Sequence, residues 1–430
     1  MSNKDSTQTT NRRSGVRRGW VVLAVGFLVM AGGFALRNSF SVFYPAIVED
    51  FGWSRGSTAI MFSLSILVYG LLSPLVGGLV DRFRPQFVLA LGIGVLGCSI
   101  AMCGLATREW QFYVLYGGLA AVGVSMIGIT PLAAIVTPWF ERNRGLVFGI
   151  LAAGFGVSLV SASLAQFLIS TYGWQSAFVI SGLSVAGVMV PLTLVLIRRA
   201  PHARTVPVQT ASGQEVSAGG ASDWHGSAWT LRRALRVPQF WMLWTAGFCQ
   251  LGIAEKIVIA HQVYFFQDAG YSPVAAASIY SVFGIVFVGG NLASSLSDRL
   301  GREKVYIPAC VLSVGAACML FAIRDASQPW MAYLFAVLFG AGMGAMPPVL
   351  FASVADLFHG ISYGAIMGMV ALGFSVGGAL SPWLAGRLHD VSNSYTSTLF
   401  ILVAALVVCG LMVWLAAPRR LNPVRSHDGR

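Results

Sequence analysis

The chain alternates between long apolar runs and short polar segments over most of its 430 residues. A helix needs about 20 mostly apolar residues to cross the hydrocarbon core of a bilayer. Twelve runs come close to or exceed this length. They predict transmembrane spans, numbered 1 to 12 below, at 19–47, 57–80, 86–106, 110–138, 144–170, 175–197, 238–267, 274–297, 304–323, 329–355, 362–386 and 397–417. The pattern therefore predicts an all-α membrane protein.

A polar stretch that is poor in large apolar residues divides the spans into two groups of six. The resulting organisation is an N-terminal tail at 1–18, a six-helix bundle at 19–197, a linker at 198–237, a second six-helix bundle at 238–417 and a C-terminal tail at 418–430. The first span is too long for a signal peptide, so we expect it to remain in the mature protein.

The two predicted bundles share a sequence pattern at an offset near 220 residues. Asp81-Arg82 after span 2 recurs as Asp298-Arg299 after span 8. The series Gly145, Gly149, Gly154 and Phe155 recurs 219 residues later as Gly364, Gly368, Gly373 and Phe374, and Trp20 matches Trp241. Agreement in three regions predicts duplicated, pseudo-symmetric halves, an arrangement typical of secondary transporters.

Composition and charge support a membrane protein. Hydrophobic residues make up 56% of the chain and charged residues 10%, against about 25% charged in soluble domains. Of the 28 Lys and Arg residues, 22 lie in the tails, the linker and the even-to-odd loops, four lie in the opposite loops and two lie inside spans. The positive-inside rule therefore places both termini and the linker in the cytoplasm. The net charge of +12 fits this distribution and does not indicate nucleic-acid binding.

The six cysteines all fall inside apolar runs and form no C-x-x-C pair. We interpret them as small buried hydrophobic residues, with no role in disulfides or metal binding. They are Cys98, Cys103, Cys249, Cys310, Cys318 and Cys409.

Several short segments resemble a known transporter family. The stretch Gly77–Arg84 reads G-G-L-V-D-R-F-R and resembles the G-x-x-x-D-R loop motif of the major facilitator superfamily, with a second copy at Ser297–Arg302. Within that superfamily, Arg17–Trp20, Phe51–Arg55 and Trp139–Gly145 are similar to segments of the monocarboxylate porter family and its bacterial oxalate/formate relatives. The resemblance covers the whole chain and implies two six-helix bundles that work by alternating access.

The resemblance also implies roles for individual residues. Asp81, Arg82, Asp298 and Arg299 would latch neighbouring helices at the cytoplasmic ends and help to set the balance between inward-facing and outward-facing states.

Relatives also carry a cation late in span 1 and a substrate-binding Arg in span 8. Here the first cation is Arg37, displaced by one position, and the segment Phe287–Asn291 holds none. The second cation is therefore absent or is supplied by Lys256.

Arg37, Glu255 and Lys256 are the charges that the sequence places deep inside spans. A charged side chain at the bilayer centre costs about 2.5–3.5 kcal/mol on insertion scales, so it persists where it faces a cavity or a partner. The repeat gives Arg37 and Lys256 similar depth on spans 1 and 7, and two cations beside one cavity would favour an anion. The alternative is a structural Arg37–Glu255 ion pair, with Lys256 extending toward the membrane surface.

Glu255 is the best candidate for carrying a coupling proton, because burial raises the pKa of a carboxyl and a neighbouring cation lowers it. A permanent counter-ion role is the alternative. His261, six residues further on, is a second candidate for proton coupling. The remaining candidates for lining a substrate cavity are polar or aromatic residues inside spans, namely Asn38, Tyr116, Tyr280, Asn291 and Tyr333.

The sequence thus predicts a proton-coupled or exchange carrier for a small organic mono- or dicarboxylate in the bacterial inner membrane. Its partners would be the anion, protons and membrane lipid, without nucleic acid. We expect a monomer, no cofactor and no enzymatic activity.

A proton-driven exporter of drugs or other hydrophobic compounds fits the same spans but needs no paired cations. A membrane sensor or scaffold with a transporter-like fold is the alternative from another class.

Overall fold

The computed structural model describes residues 3–136, 139–140, 144–197, 229–358 and 363–416. These residues form helices and connecting segments, and none of them lies in a β-strand. Ten stretches of the described chain are long and apolar enough to cross a membrane.

Two further spans bring the total to twelve. One shares a stretch of double length with its neighbour, and the other is a helix that is not among these ten. The stretch Ile150–Leu196 has 47 residues, which at 1.5 Å per residue is about 70 Å, more than twice the hydrocarbon thickness. Gly173, at φ 78°, interrupts it and separates span 5 from span 6. Span 9 is the helix Arg302–Met319, which is long enough to cross but begins with three charged residues. The predicted all-α architecture with twelve spans is confirmed.

The helices of the N-terminal half follow the predicted order. They are Asn3–Asn38 and Phe40–Phe51 in span 1, Arg55–Arg82 in span 2, Pro85–Cys103 in span 3, Glu109–Phe112, the π-helix Tyr113–Ala120, Ala121–Ile127 and Ile129–Val136 in span 4, and Arg144–Val160 and Ala162–Leu196 in spans 5 and 6.

The C-terminal half has the same order of spans. Its helices are the short Leu231–Ala234, then Pro238–Gly247, the π-helix Phe248–Ala254 and Glu255–Asp268 in span 7, Pro273–Ala293, the 3-10 turn Ser294–Leu296 and Ser297–Leu300 in span 8, Arg302–Met319 in span 9, Pro329–Leu357 in span 10, Tyr363–Ser392 in span 11 and Thr396–Ala416 in span 12. The short helix lies within the predicted linker, whose residues 198–228 are outside the described part.

Local sequence explains where several spans begin. Pro85, Pro238, Pro273 and Pro329 each stand in the first turn of a helix, where the N–H that proline lacks would have had no intrahelical partner. The side chain of Ser272 accepts a hydrogen bond from a backbone N–H of the first turn and so caps span 8.

Span 1 differs from the continuous helix that its apolar run predicts, because it breaks at Ser39. The N–H of Val42 donates to the carbonyl of Ser39 at 2.9 Å, one residue short of the usual helical partner, Asn38. Pro45 follows and has no N–H to donate to the carbonyl of Ser41. The break leaves the Asn38 carbonyl free for a side chain from another span.

The most extensive contacts between the two halves are made by two pairs of spans: span 2 packs on span 11, and span 5 packs on span 8. Small residues allow these approaches. A Cβ added at Gly284 of span 8 would lie 2.6 Å from Leu159, and one added at Gly386 of span 11 would lie 2.8 Å from the backbone of Arg55.

The expectation that all six cysteines are buried is wrong for two of them. Cys98 and Cys318 are exposed on the surface of the helical bundle, whereas the other four cysteines are buried. Spans 3 and 9, which carry the exposed pair, present part of their apolar surface outward. An apolar run therefore identified the span but not the face of the helix on which each thiol lies.

Candidate functional site

Glu255 and Lys256 form an ion pair near the start of the last helix of span 7, between Oε1 and Nζ. The Glu255 side chain is 3% exposed and that of Lys256 is 12% exposed. The predicted alternative in which Glu255 pairs with Arg37 is therefore wrong. Glu255 neutralises the charge of Lys256, its neighbour in the chain, so the charge of Arg37 must be stabilised by other contacts.

Arg37 is buried among aromatic rings. Its guanidinium carbon lies 5.2 Å from the ring centroid of Tyr69, 5.7 Å from that of Phe62 and 6.0 Å from that of Phe34. Its Nε has no hydrogen-bond partner among the described residues. Glu255 is close enough to interact electrostatically with the guanidinium. Cation–π contacts therefore supply part of the stabilisation that a buried cation needs.

An aromatic wall joins Arg37 to Lys256. The ring of Phe34, beside Arg37, packs edge-on against Phe155 of span 5 with centroids 5.4 Å apart. The Nζ of Lys256 lies 5.5 Å from the centroid of that same Phe155 ring. Both cations thus border one surface built from spans 1, 5 and 7. Together with Glu255 they carry a net charge of +1.

Three of the predicted cavity residues hold the break in span 1. Tyr116 donates its hydroxyl to the carbonyl of Arg37 at 2.5 Å, and Tyr280 donates to the carbonyl of Asn38 at 3.4 Å. The Asn38 amide donates to Ser158 Oγ at 2.8 Å. These bonds join span 1 to spans 4, 5 and 8, so the structure brings Asn38, Tyr116 and Tyr280 to the same cluster as Arg37.

Asn291 and Tyr333 lie apart from this cluster. Asn291 is half-buried near the end of span 8, where its carbonyl accepts a hydrogen bond from Ser294 at 2.6 Å. Tyr333 is 38% exposed, and its hydroxyl lies 2.7 Å from Ser278 Oγ. The geometry gives neither side chain a place beside the buried charges.

His261 is buried, but it faces a different cluster. It lies six residues after Glu255, which is about 9 Å along the helix. Its Nε2 is 2.8 Å from the carbonyl of Pro382, and its Nδ1 is 3.2 Å from the hydroxyl of Tyr395. A carbonyl can only accept, so Nε2 carries the proton, and Nδ1 of a neutral ring then accepts from Tyr395. Both nitrogens of His261 are used in joining span 7 to spans 11 and 12.

A second cluster, centred on Arg55 at the start of span 2, was missed by sequence reasoning. Arg55 forms a two-pronged ion pair with Asp268 at the end of span 7, in which Nη2 lies 2.8 Å from Oδ1 and Nη1 contacts Oδ2. Its guanidinium carbon lies 3.6 Å from the ring centroid of Tyr264, and its Nη1 lies 3.2 Å from the Tyr395 hydroxyl. A guanidinium paired bidentately with a carboxylate makes a strong, directional contact.

Backbone contacts add to this cluster. Asp390 accepts from the N–H of Arg55 at 2.9 Å and from that of Gly56 at 2.7 Å. Tyr44 donates to the carbonyl of Arg55 at 2.6 Å. We call these residues, Arg55, Asp268, Asp390, Tyr44, Tyr264 and Tyr395, the Arg55 cluster. One feature of the sequence could have indicated this cluster. Charged residues stand at the ends of three spans, next to loops that are otherwise poor in Lys and Arg.

The second copy of the repeated loop motif forms a charged network at the other end of the bundle. Arg302 donates to Asp298 at 2.5 Å, to Ser297 Oγ at 2.8 Å and to Asp356 of span 10 at 2.8 Å. Arg299 is exposed. The contacts predicted for Arg299 are therefore made by Arg302, which ties the ends of spans 8, 9 and 10 together.

The first copy of this motif contains Asp81 and Arg82. Their side chains lie outside the described part of the structure, so their predicted latch role remains a prediction.

Comparison with known proteins places these features in a family. The family model described as Major Facilitator Superfamily matches residues 22–321 and 288–429. The chain is 28% identical over 420 residues to the uncharacterized MFS-type transporter YcxA of Bacillus subtilis (strain 168), covering 96% of each chain. It is 26% identical over 418 residues to monocarboxylate transporter 13 of Rattus norvegicus, covering 96% of this chain and 92% of the relative.

Solved structures support the fold. A bacterial homologue of the human lysosomal transporter Spinster, in an inward-facing and occupied conformation, superposes with a TM-score of 0.67 at 17% identity. The match covers 92% of this chain and 96% of that one. The chain belongs to the Major Facilitator Superfamily of membrane transporters and lies close to its monocarboxylate transporter branch.

Proposed function

We propose that this protein moves a small organic monoanion across the membrane by alternating access, coupled to protons. The observation that carries the proposal is the buried Arg37, whose Nε lacks a hydrogen-bond partner and whose charge is not cancelled by the neighbouring Glu255–Lys256 pair. A buried cation without a dedicated counter-ion is costly unless it faces a ligand of opposite charge. The names of the monocarboxylate transporter relatives agree with an anionic ligand.

The net charge favours a monoanion over a dicarboxylate. Arg37 and Lys256 contribute two positive charges and Glu255 one negative charge, so one proton bound together with one carboxylate leaves the net charge of the site unchanged at +1. A dicarboxylate bound with the same single proton would change the net charge of a buried site in a medium of low dielectric. The rings of Phe34 and Phe155 beside the cations would accommodate an apolar part of the substrate.

Glu255 is the proposed proton carrier. When it takes up a proton, its ion pair with Lys256 loses its charge–charge attraction, and the site gains one net positive charge. The affinity for a carboxylate should then rise. When the proton leaves, the Glu255–Lys256 pair re-forms and the site again carries one net positive charge. Proton and anion therefore stabilise each other in the occupied site, which is thermodynamic coupling between two ligands. Both ring nitrogens of His261 are held in hydrogen bonds to other spans, which supports a role for His261 in positioning span 7 and not in proton transfer.

The Arg55 cluster is the proposed outer gate. We place both termini in the cytoplasm of a bacterial cell, on the support of the Lys and Arg distribution and the Bacillus relative. In that orientation the Arg55 cluster lies on the outer side and the Arg302 network on the cytoplasmic side. Opening to the outside would require separation of Arg55 from Asp268 and of Gly56 from Asp390, because these contacts join the two halves.

A binding screen tests the proposal. Purified protein is titrated with monocarboxylates, dicarboxylates, sugars and cationic drugs while the melting temperature Tm is followed, since a ligand that binds the folded state stabilises it. We expect stabilisation by monocarboxylates and loss of that response in Arg37→Met, with Arg324→Ala, an exposed loop arginine, as the control. Stabilisation by cationic drugs alone would overturn the proposal in favour of an exporter. No response to any compound from a transport-inactive protein would favour a sensor or scaffold.

A further inference from the structure

His389 lies beside the Arg55 cluster, near the end of span 11 and one residue before Asp390. Its Nε2 is 3.5 Å from Oδ2 of Asp268. Its ring packs on that of Tyr395, with centroids 4.7 Å apart. The side chain of His389 is 12% exposed and that of Asp268 is 34% exposed. The imidazole therefore exchanges protons with the solution at its own end of the molecule.

The carboxylate of Asp268 is shared between His389 and Arg55. The Oδ2 atom that lies next to His389 is the same atom that Nη1 of Arg55 contacts. His389 is also close enough to interact electrostatically with the guanidinium. A neutral imidazole adds no charge to this arrangement, whereas a protonated one is a second cation beside the same carboxylate. Protonation of His389 therefore introduces repulsion against Arg55.

The two halves of the molecule contribute unequally to these charges. Arg55 belongs to span 2, whereas Asp268, Asp390 and His389 belong to spans 7 and 11 of the C-terminal half. The attraction between protonated His389 and Asp268 lies within one half, so it remains when the halves separate. The repulsion between His389 and Arg55 acts across the interface, so separation relieves it. A ligand shifts an equilibrium toward the state that binds it better, and a proton on His389 therefore favours separation.

His389 is the group of this region that is suited to titrate near neutral pH. Histidine has an ordinary pKa of about 6.5, whereas aspartate, at about 3.9, stays ionised above pH 5 and tyrosine, at about 10, stays neutral below pH 8. His261 of span 7 faces His389 electrostatically, but it is 2% exposed and both its nitrogens are held by Pro382 and Tyr395. Arg387, on the same helix as His389, is exposed and keeps its charge.

We propose that His389 is a proton-binding site that controls the Arg55 cluster, so that this end of the transporter opens more readily when the solution facing it becomes acidic. The inference rests on the gate role proposed above for the Arg55 cluster and depends neither on Glu255 nor on the identity of the substrate. In the proposed orientation the solution is the exterior. A carrier that takes up an anion together with a proton would thus open outward most readily when external protons are available.

Spin-label distances across the ends of spans 2 and 11 that adjoin the cluster test this inference, at about pH 8 and about pH 5, on either side of the ordinary histidine pKa. In the wild-type protein the open population should rise about two- to fivefold in acid, the size expected of one partly exposed charge pair. His389→Gln, which stays neutral, should lose this rise. His389→Lys, which stays charged, should show the enlarged open population at both pH values. His359→Gln, in the loop that precedes span 11, is the matched control and should respond like the wild type.

Asp268→Asn, measured with the same labels, separates failure of this inference from failure of the gate. If Asp268→Asn enlarges the open population while His389→Gln keeps the full wild-type response to pH, the gate stands and the role of His389 is overturned. If Asp268→Asn leaves the distances unchanged, the gate is overturned and the role of His389 with it. A wild-type protein that closes in acid, or whose distances do not change with pH, would also overturn the role of His389.

Discussion

The carboxylate of Asp390 accepts a hydrogen bond from the backbone N–H of Arg55 at 2.9 Å, so a residue near the end of span 11 caps the first turn of span 2. The first N–H groups of a helix have no intrahelical partner and carry partial positive charge. A cap supplied by the other half of the molecule holds only while the two halves are closed at this end. The contact therefore stabilises one conformational state over the other.

Asp268→Asn should shift the protein toward the state that is open at the Arg55 cluster. The substitution removes the charge that pairs with Arg55, and because both side chains are partly exposed the loss should be about 1 kcal/mol, or roughly fivefold in the conformational equilibrium. Distances between spin labels on the ends of spans 2 and 11 that adjoin the Arg55 cluster would report the change. Asp325→Asn, in an exposed loop, serves as the control. An unchanged distance distribution in Asp268→Asn would exclude the gate.

Arg37→Met should weaken anion binding strongly and leave the fold intact. The side chain can still pack between Phe34 and Phe62, and no ion pair is broken by the change, so Tm should stay the same or rise. The affinity for a monocarboxylate should fall at least tenfold, the equivalent of about 1.4 kcal/mol. Isothermal titration of the purified variant measures it. Wild-type affinity in a folded variant would remove Arg37 from the site.

Arg302→Ala should slow transport more than it weakens binding. Arg302 joins Asp298 to Asp356 at the ends of three spans, so its loss should alter the balance of states without touching the substrate site. The transport rate should fall several-fold at similar binding affinity. Arg299→Ala is the matched control, because Arg299 belongs to the same motif but is exposed. Equal effects of the two substitutions would contradict the role assigned to Arg302.

The spans themselves could be predicted from the sequence because length and apolar character suffice to identify a membrane helix. The break at Ser39 could not, since it depends on local bonds and on Tyr280 of span 8, which donates to the Asn38 carbonyl that the break leaves free. Arg37 and Glu255 were identified correctly as buried, because a charge inside an apolar run is rare enough to be informative.

The pairing of the charges was harder to predict. The sequence left open whether Glu255 is the counter-ion of Arg37 or of Lys256. Adjacent residues on a helix do not face each other, yet the long Lys side chain can fold back to its neighbour. The Arg55 cluster was missed for a different reason. Its partners Asp268 and Asp390 are 213 and 335 residues away along the chain, and only the packing of the two halves brings them together.

Glu255→Gln should separate proton coupling from substrate exchange. Glutamine mimics the protonated carboxyl permanently, so counterflow of substrate against substrate should persist while uptake driven by a pH gradient collapses. A structural counter-ion role predicts a different result. Lys256 would then be left buried and unpaired, which costs about 3–5 kcal/mol, and both activities would be lost with a lower Tm. Assays of both activities in the same proteoliposomes distinguish the two roles.

Uptake of a radiolabelled monocarboxylate by proteoliposomes containing the wild-type protein tests the central claim most directly. The vesicles are given an inwardly directed proton gradient, and the anion is measured inside over time. Proton-coupled anion transport predicts accumulation above the external concentration, which disappears when a protonophore collapses the gradient. Equilibration without accumulation, at the same rate with and without the gradient, would contradict it.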